Sequence, residues 1–302
     1  MGGDCGRRIA RVRTCKEKQL IMKIIVQRLY DLFRTILTIN QLSLEKTLKR
    51  KIMATWFRVF LFKRYDHRNK VADIVGFKVK FLDYSALSYL FREIFLGHEY
   101  YFVAKKDTPL IVDCGSNIGM SVLYFKMLYP DSRIEAFEPG KETYSSLEEN
   151  IRNNHLNSVV TRNGALSNRE GVIDFYYDQD NTGSLIMSTR KERMPKQKQS
   201  VDALLLSKYM DEEVDFLKID IEGAETEVVE ELIKAGKLDL VDQMVIEYHH
   251  HIPGESDVFS GMLRLLEDAG FGYQIEGRLD RPLRGEQVQD ILIYAYKRKP
   301  GP

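Results

Sequence analysis

Beyond Pro109 the apolar positions fall into short strand-like runs, at 110–113, 133–137, 158–162, 214–219 and 243–247, and between these runs the spacing changes to that of helices. Tyr144, Leu147 and Ile151 recur at three and four residues, and Val228, Val229, Leu232 and Ile233 do the same, followed by Phe259, Met262, Leu263 and Leu266. Such spacing gathers a set on one helix face, whereas a short continuous apolar run suits a strand buried on both faces. Strand and helix in alternation predict an α/β fold with a doubly wound, mostly parallel sheet. The rhythm breaks at the end: 271–276 and 290–296 are strand-like with no helix between them, so an antiparallel pair is expected at one sheet edge.

Upstream, 77–82 alternates and 85–95 has helical spacing, which reads as a lead-in (71–109) to a main domain whose core is 110–302. Residues 1–70 form an N-terminal extension. Within it Ile25, Leu29, Leu32, Phe33 and Ile36 at helical spacing, then Trp56, Phe57, Phe60 and Phe62, predict one or two amphipathic helices. The first 20 residues are rich in Gly, Arg and Lys without periodicity and are expected to be disordered. A polar stretch at 179–200, containing Gly183 and Pro195, reads as a long loop beside the active site, with disorder as the alternative.

Charge changes this picture more than composition does. The formal net charge is +1, yet residues 1–70 hold 18 basic and 5 acidic side chains, so a basic head precedes an acidic body. Cys5, Cys15 and Cys114 have no metal-ligand spacing and form no disulfide framework. No apolar run approaches the roughly 20 residues of a spanning helix, and Lys and Arg interrupt the start too often for a secretory signal, so a cytoplasmic location is expected.

The first strand of the core runs into Asp113-Cys114-Gly115-Ser116-Asn117-Ile118-Gly119. At the carboxyl ends of parallel strands such glycines let backbone approach a ligand. The loop lacks the third glycine of a dinucleotide fingerprint, and the chain has no P-loop, which disfavours a nucleotide-dependent oxidoreductase or a nucleotidase. The second strand ends in Ala136-Phe137-Glu138-Pro139, about 20 residues on, where a carboxylate can accept two hydrogen bonds from a ribose diol; a helix-capping Glu is the alternative.

With Asn150-Ile151, Asn154, the run from Phe216 through Lys218-Ile219-Asp220-Ile221-Glu222-Gly223-Ala224-Glu225, and Val245-Ile246-Glu247-Tyr248, these motifs resemble the FkbM-type family of S-adenosylmethionine-dependent methyltransferases. The resemblance covers roughly 110–276 and leaves out the basic head. It implies a Rossmann-like class I methyltransferase fold, S-adenosylmethionine as cofactor, and transfer to a hydroxyl oxygen, commonly of a sugar or natural product. It also implies site roles. Asp113, Gly115, Asn117 and Gly119 would surround the methionine part of the cofactor, Glu138 would hold the ribose, and Asn163, Gly164 and Ala165 would border the adenine. Asp220 and Glu222 would line the junction with the acceptor. The charge of the cofactor agrees: a sulfonium without phosphate calls for carboxylates where a dinucleotide calls for amides. For Asp220 and Glu222, capping of the following helix is the competing role.

Methyl transfer to a hydroxyl needs in-line geometry and removal of a proton. Glu247 ends the fifth strand and Tyr248, His249, His250 and His251 follow; alternation leaves His249 and His251 on the side of Glu247, and His249 is the preferred base. The acids and a histidine could meet around a metal, but consecutive histidines lack the spacing of a helical zinc site, and no metal is expected. Lys49, Arg50, Lys51, Arg58, Lys63, Arg64, Arg68 and Lys70, interleaved with aromatics, fit either a segment lying on an anionic membrane surface or a cover packed on the catalytic domain. The first option would place the protein at the inner face of a membrane, and with lost turnover would give a membrane-associated binding protein. No nucleic-acid motif is present, and no nucleic-acid partner is expected.

Overall fold

The computed structural model describes residues 22, 23, 26, 30–178, 184–194, 196–254, 258–277 and 288–298. The segment expected to be disordered, with Cys5 and Cys15, lies outside the described residues, as do Ile25, Leu29, Gly183 and Pro195.

A seven-stranded sheet carries the fold: β3 (Leu110–Cys114), β4 (Arg133–Phe137), β5 (Val159–Arg162), β9 (Val214–Ile219), β10 (Val241–His250), β11 (Phe271–Gly277) and β12 (Gln289–Lys297). Their order across the sheet is β11-β12-β10-β9-β3-β4-β5. Neighbours are parallel from β10 to β5, while β12 runs antiparallel to both β10 and β11, as the loss of the helix at the end of the sequence required. From β3 the chain builds outward through β4 and β5, then returns to place β9 on the other side of β3. The order therefore reverses between β3 and β9, and their carboxyl ends open a crevice there. Register sets the level of that crevice: Cys114 pairs with both Phe137 and Ile219, so the residues after all three strands leave the sheet together.

Side chains alternate between two cores. Ile111, Ile134, Phe216 and Val245 face one cluster with α3 (Met120–Leu128) and α4 (Lys141–Asn153); Val112, Leu217, Met244 and Ile246 face the other with α5 (Glu225–Lys234) and α6 (Phe259–Asp268). The first core also takes in Ile39, Ile52 and Val59, so α1 (Lys46–Thr55) and the helical residues 30–41 bury one face there. The lead-in supplies a hairpin, β1 (Val71–Ile74) and β2 (Phe77–Lys80), turned through Val75 and Gly76 at φ 57° and 102°, the left-handed pair that a two-residue hairpin favours. It also supplies α2 (Tyr84–Leu90), which widens into a π-helical turn at Phe91–Leu96.

One reading needs correction. Part of the stretch taken as a loop at 179–200 is strand: β6 (Ala165–Leu166), β7 (Gly171–Tyr177) and β8 (Gln197–Leu204) form a second sheet in the order β6-β8-β7. The start of β8 is Gln-Lys-Gln-Ser with no apolar period, because it is held by pairing to β7 and by a 2.7 Å Lys198–Asp174 ion pair rather than by burial.

Candidate active site

The crevice at the switch point is a cavity of about 320 Å³. Its first wall is the loop after β3. Gly115 N–H and Ser116 N–H both donate to Phe137 O at 2.9 Å, folding the loop over the end of β4. Gly115 has φ 85°, and a Cβ there would lie 1.8 Å from Asp220 O, so the residue type is dictated by the end of β9. Asn117, at φ 49°, turns its N–H onto Glu138 Oε2 (2.8 Å) while its Oδ1 accepts from Ile118 N (2.8 Å).

Glu138 holds the start of α4 and also faces the cavity. Its Oε1 accepts from Gly140 N (2.8 Å) and Thr143 Oγ1 (2.7 Å) at the start of α4, and it remains on the cavity wall. Burial raises its carboxyl above the ordinary range against the pull of these hydrogen bonds. Ala165 and Gly164 are on the wall beside Phe137, Leu166 and Phe175, an apolar surface suited to a base ring. Asp113, Gly119 and Asn163 are not. Asp113 is fully buried behind the loop, accepting from Ser121 Oγ (2.6 Å) and lying 3.3 Å from Lys218 Nζ. Gly119, φ 89°, caps α3 against Leu147, and Asn163 Nδ2 donates to the carbonyls of Glu138 (2.8 Å) and Pro139 (3.2 Å).

The opposite wall is acidic. Asp220, Glu222, Glu247, His249 and Asp290 converge from β9, β10 and β12, and the lead-in adds Tyr89, Glu93, Glu99 and Tyr100. Lys218, Tyr100, Glu225, Arg193 and Asp290 had been given no role in the sequence. A lysine set among Phe216, Leu217 and Ile219 is the signal that could have found Lys218. Its ammonium donates to Gly115 O (2.7 Å) and lies 3.3 Å from both Asp113 and Asp220; burial would lower its pKa, but these carboxylates hold it raised. Asp220 Oδ2 also accepts from the buried Tyr100 hydroxyl (3.1 Å).

Arg193 and Ser188 bring the 184–194 segment onto this wall: both Arg193 nitrogens reach Glu222 Oε2 at 2.7 Å, and the Ser188 hydroxyl donates to Glu222 O. Burial pushes the Glu222 carboxyl up to about 7 against His249 and Arg193, with Asp220 adding to the push. Burial and the facing Asp220 likewise raise Glu247 well above the usual carboxylate range.

His249 sits 2.9 Å through Nδ1 from the buried Glu225 and 3.3 Å through Nε2 from Glu222. Burial would lower its pKa, but these two carboxylates hold it well above 6.5. An imidazole kept protonated is a weak proton acceptor at neutral pH, which counts against His249 as the base. Asp220, Glu247 and His249 each present a ligand atom within 4.8 Å of the others.

A glycine loop, the buried Glu138 carboxylate, an apolar surface and an acidic far wall thus meet around one switch point. Residues 113–273 match the family model described as "Methyltransferase FkbM domain", and the chain belongs to that family. It is 30% identical over 211 residues to Methyltransferase 1 of Beauveria bassiana, covering 63% of this chain and 83% of that protein. It is 30% identical over 227 residues to Methyltransferase sdnD of Sordaria araneosa, covering 63% and 86%. Among solved structures it is similar to Methyltransferase FkbM from Methylobacillus flagellatus KT, at 17% identity and a TM-score of 0.43, with 82% of this chain covering 60% of that one. The protein is a methyltransferase and its cofactor is S-adenosylmethionine, which the donor set fits: carboxylates face the crevice, and the wall at Gly115 has no room for a side chain.

Proposed function

We propose that this methyltransferase acts on a hydroxyl oxygen, of a carbohydrate or glycan precursor. The observation that carries the reading is the adjacency of an apolar wall suited to a nucleoside and a carboxylate wall on which burial raises Glu222 to about 7 and Glu247 well above the ordinary range. When bound, S-adenosylmethionine supplies an electrophilic methyl on a sulfonium. Glu138 accepts from the ribose hydroxyls through the capacity left on Oε2, Gly115 and Asn117 bring backbone against the methionine part, and Ala165 borders the adenine. Asp113, Gly119 and Asn163 act one step behind, holding Lys218, the α3 cap and the strand end that carries Glu138.

Asp220, fixed by Tyr100 and Lys218, and Glu247 face the acceptor, and the raised pKa of Glu247 suits it to accept a hydroxyl proton. Glu222 and His249 position this edge, through Arg193 and Glu225 respectively. Sugar hydroxyls suit the pocket because carboxylates accept from them while Tyr89 and Tyr100 supply flat apolar surface. The test is transfer of radiolabelled methyl from S-adenosylmethionine to a panel of glycosides, amines and thiols. Label in an alkali-stable ether of a glycoside is the expected result; label only in amines or thiols would overturn the reading.

The membrane surface belongs to the same proposal. Met22, Val26, Tyr30, Phe33 and Leu37 are exposed, at spacings of four, four, three and four residues, the spacing of one apolar helix face, with Lys23 and Arg34 nearby in sequence; Leu61 and Phe62 are exposed as well. Among the described residues no helix is long and apolar enough to cross a membrane. An apolar stripe on a head of net charge +13 fits an anionic leaflet, which in a cell is the cytoplasmic one. Co-sedimentation with phosphatidylserine vesicles and not with phosphatidylcholine alone, lost in Phe33→Asp, is the expected outcome; equal partition to both, or none, would remove the membrane from the proposal.

A further inference from the structure

We propose that Asp220, Glu247 and His249 form a site for one divalent cation at the acceptor end of the cavity, open on the cavity side to two adjacent oxygens of the acceptor. The inference deepens the reading of this wall as the acceptor site and rests on it.

Three observations carry it. The first is the span: one ligand atom from each residue lies within 4.8 Å of the others, and a cation bound at about 2.0–2.6 Å from its ligands holds opposite ones about 4–5 Å apart.

The second is the orientation of His249. Its Nδ1 is 2.9 Å from Glu225 Oε1, an oxygen that also accepts from Gly223 N at 2.8 Å, so the buried Glu225 carboxylate takes the Nδ1 proton. Nε2 is then turned toward carboxylates, 3.3 Å from Glu222 and 3.9 Å from Asp290. With Nδ1 committed to Glu225, Nε2 is the atom that meets these carboxylates, as an N–H while the imidazole is charged and, once a cation displaces that proton, as a ligand to the cation between them. A carboxylate behind a histidine whose other nitrogen faces more carboxylates is the usual way a protein orients an imidazole toward a metal.

The third is vacancy among the acids. Glu247 makes no hydrogen bond or ion pair among the described residues, and Asp220 spends a single oxygen, Oδ2, on both Tyr100 and Lys218. Among the described residues, the permanent cations paired with the group Asp113, Asp220, Glu222, Glu225, Glu247 and Asp290 are Lys218 and Arg193.

The chemistry of the donors narrows the ion. A single imidazole with two carboxylates and no thiolate is poor for a structural zinc, and magnesium prefers oxygen alone, so the set suits Mn²⁺ best. A cation held here would favour acceptors with two neighbouring oxygens, such as a vicinal diol, over isolated hydroxyls.

The experiment titrates the full chain with MnCl2, following the paramagnetic resonance of free Mn²⁺ and the heat of binding, with S-adenosylmethionine and S-adenosylhomocysteine affinities measured on the same samples. One Mn²⁺ per chain is expected, weakened about ten-fold or more in Glu247→Gln and His249→Gln and, through loss of imidazole orientation, in Glu225→Gln. Asp174→Asn, on β7 and paired with Lys198 outside the cavity lining, should leave it unchanged. Melting curves establish folding; should the His249 variant fail to fold, Glu247→Gln, whose side chain has no partner to lose, decides the matter. No saturable Mn²⁺ binding by wild type that binds S-adenosylhomocysteine overturns the site and leaves the methyl-donor reading intact, whereas Mn²⁺ binding without either nucleoside does the reverse. Unchanged Mn²⁺ affinity in Glu247→Gln also overturns it. So does a Glu247→Gln that weakens S-adenosylmethionine but not S-adenosylhomocysteine, which would give these carboxylates to the sulfonium instead.

Discussion

The two walls of the cavity are built in opposite ways. On the β3–β4 side the groups are tied down within two consecutive strand ends: Glu138 by Asn117 N–H, Gly140 N–H and the Thr143 hydroxyl, Gly115 and Ser116 by Phe137 O. On the β9–β10 side the groups come from segments far apart, with Tyr100, Arg193, Asp220, Glu225, His249 and Asp290 meeting across the fold, and the charges there do not balance. A wall satisfied in advance can bind a ligand without rearranging, whereas a wall with carboxylates in excess is complete only when something cationic or proton-donating arrives. The first is a holder and the second a reacting surface.

Gly115→Ala should break the holder most severely. A Cβ 1.8 Å from Asp220 O cannot be accommodated, and a φ of 85° costs a non-glycine residue a further ~1–2 kcal/mol, so S-adenosylhomocysteine binding should fall more than about 100-fold by calorimetry. Near-normal affinity in a folded variant would mean that the loop is not rigid.

Glu247→Gln tests the division itself. Methyl transfer should drop on the order of 100-fold, the usual worth of a positioned proton acceptor, with S-adenosylhomocysteine affinity held. Equal losses in both would show that the two walls act as one.

Glu138→Ala should weaken the nucleoside about 10- to 100-fold, as charge-assisted hydrogen bonds of ~1.5–3 kcal/mol are lost. It also strands the N–H groups of Asn117 and Gly140, so Glu138→Gln is the cleaner comparison.

The smallest effect concerns stability outside both walls. Burial lowers His98 from 6.5 to about 4, so between these values the unfolded chain binds a proton that the folded one does not. Stability is therefore full above about pH 6.5 and declines as pH falls toward 4. His98→Phe, which keeps the ring contacts with Tyr101 and Tyr124, should flatten the dependence of melting temperature on pH in that window.

The same contrast explains what the sequence disclosed. All seven strands of the main sheet were legible, because β3, β9 and β10 are buried on both faces and write themselves as apolar runs. Glu138 and the glycine loop were legible for a related reason: their partners lie within a few residues or at the end of the next strand. The small β6–β8–β7 sheet was not, since Gln197 to Ser200 are polar on both faces. Nor could spacing pair His249 with Glu225, 24 residues away across a helix, or show that these carboxylates keep the imidazole charged. That acids and a histidine could meet at neighbouring strand ends was legible from the order of the strands; which nitrogen of His249 faces them was not.

Asn150, within α4, and Asn154, its C-cap, tie that helix to β2 at two points. From α4 each amide both accepts from and donates to the main chain of β2, Asn150 at Lys80 (2.6 and 3.0 Å) and Asn154 at Lys78 (2.7 and 2.8 Å). Four residues of helix advance about 6.0 Å, and two residues of strand about 6.6 Å. Helix and strand therefore share a ruler over one repeat, with a mismatch of about 0.6 Å that side-chain torsions absorb. A third amide a turn further on would be about 1.2 Å out of step and beyond good hydrogen-bond geometry. Two is thus the natural number of such rungs, and inserting one residue between them would swing the second about 100° around the helix and let the hairpin go.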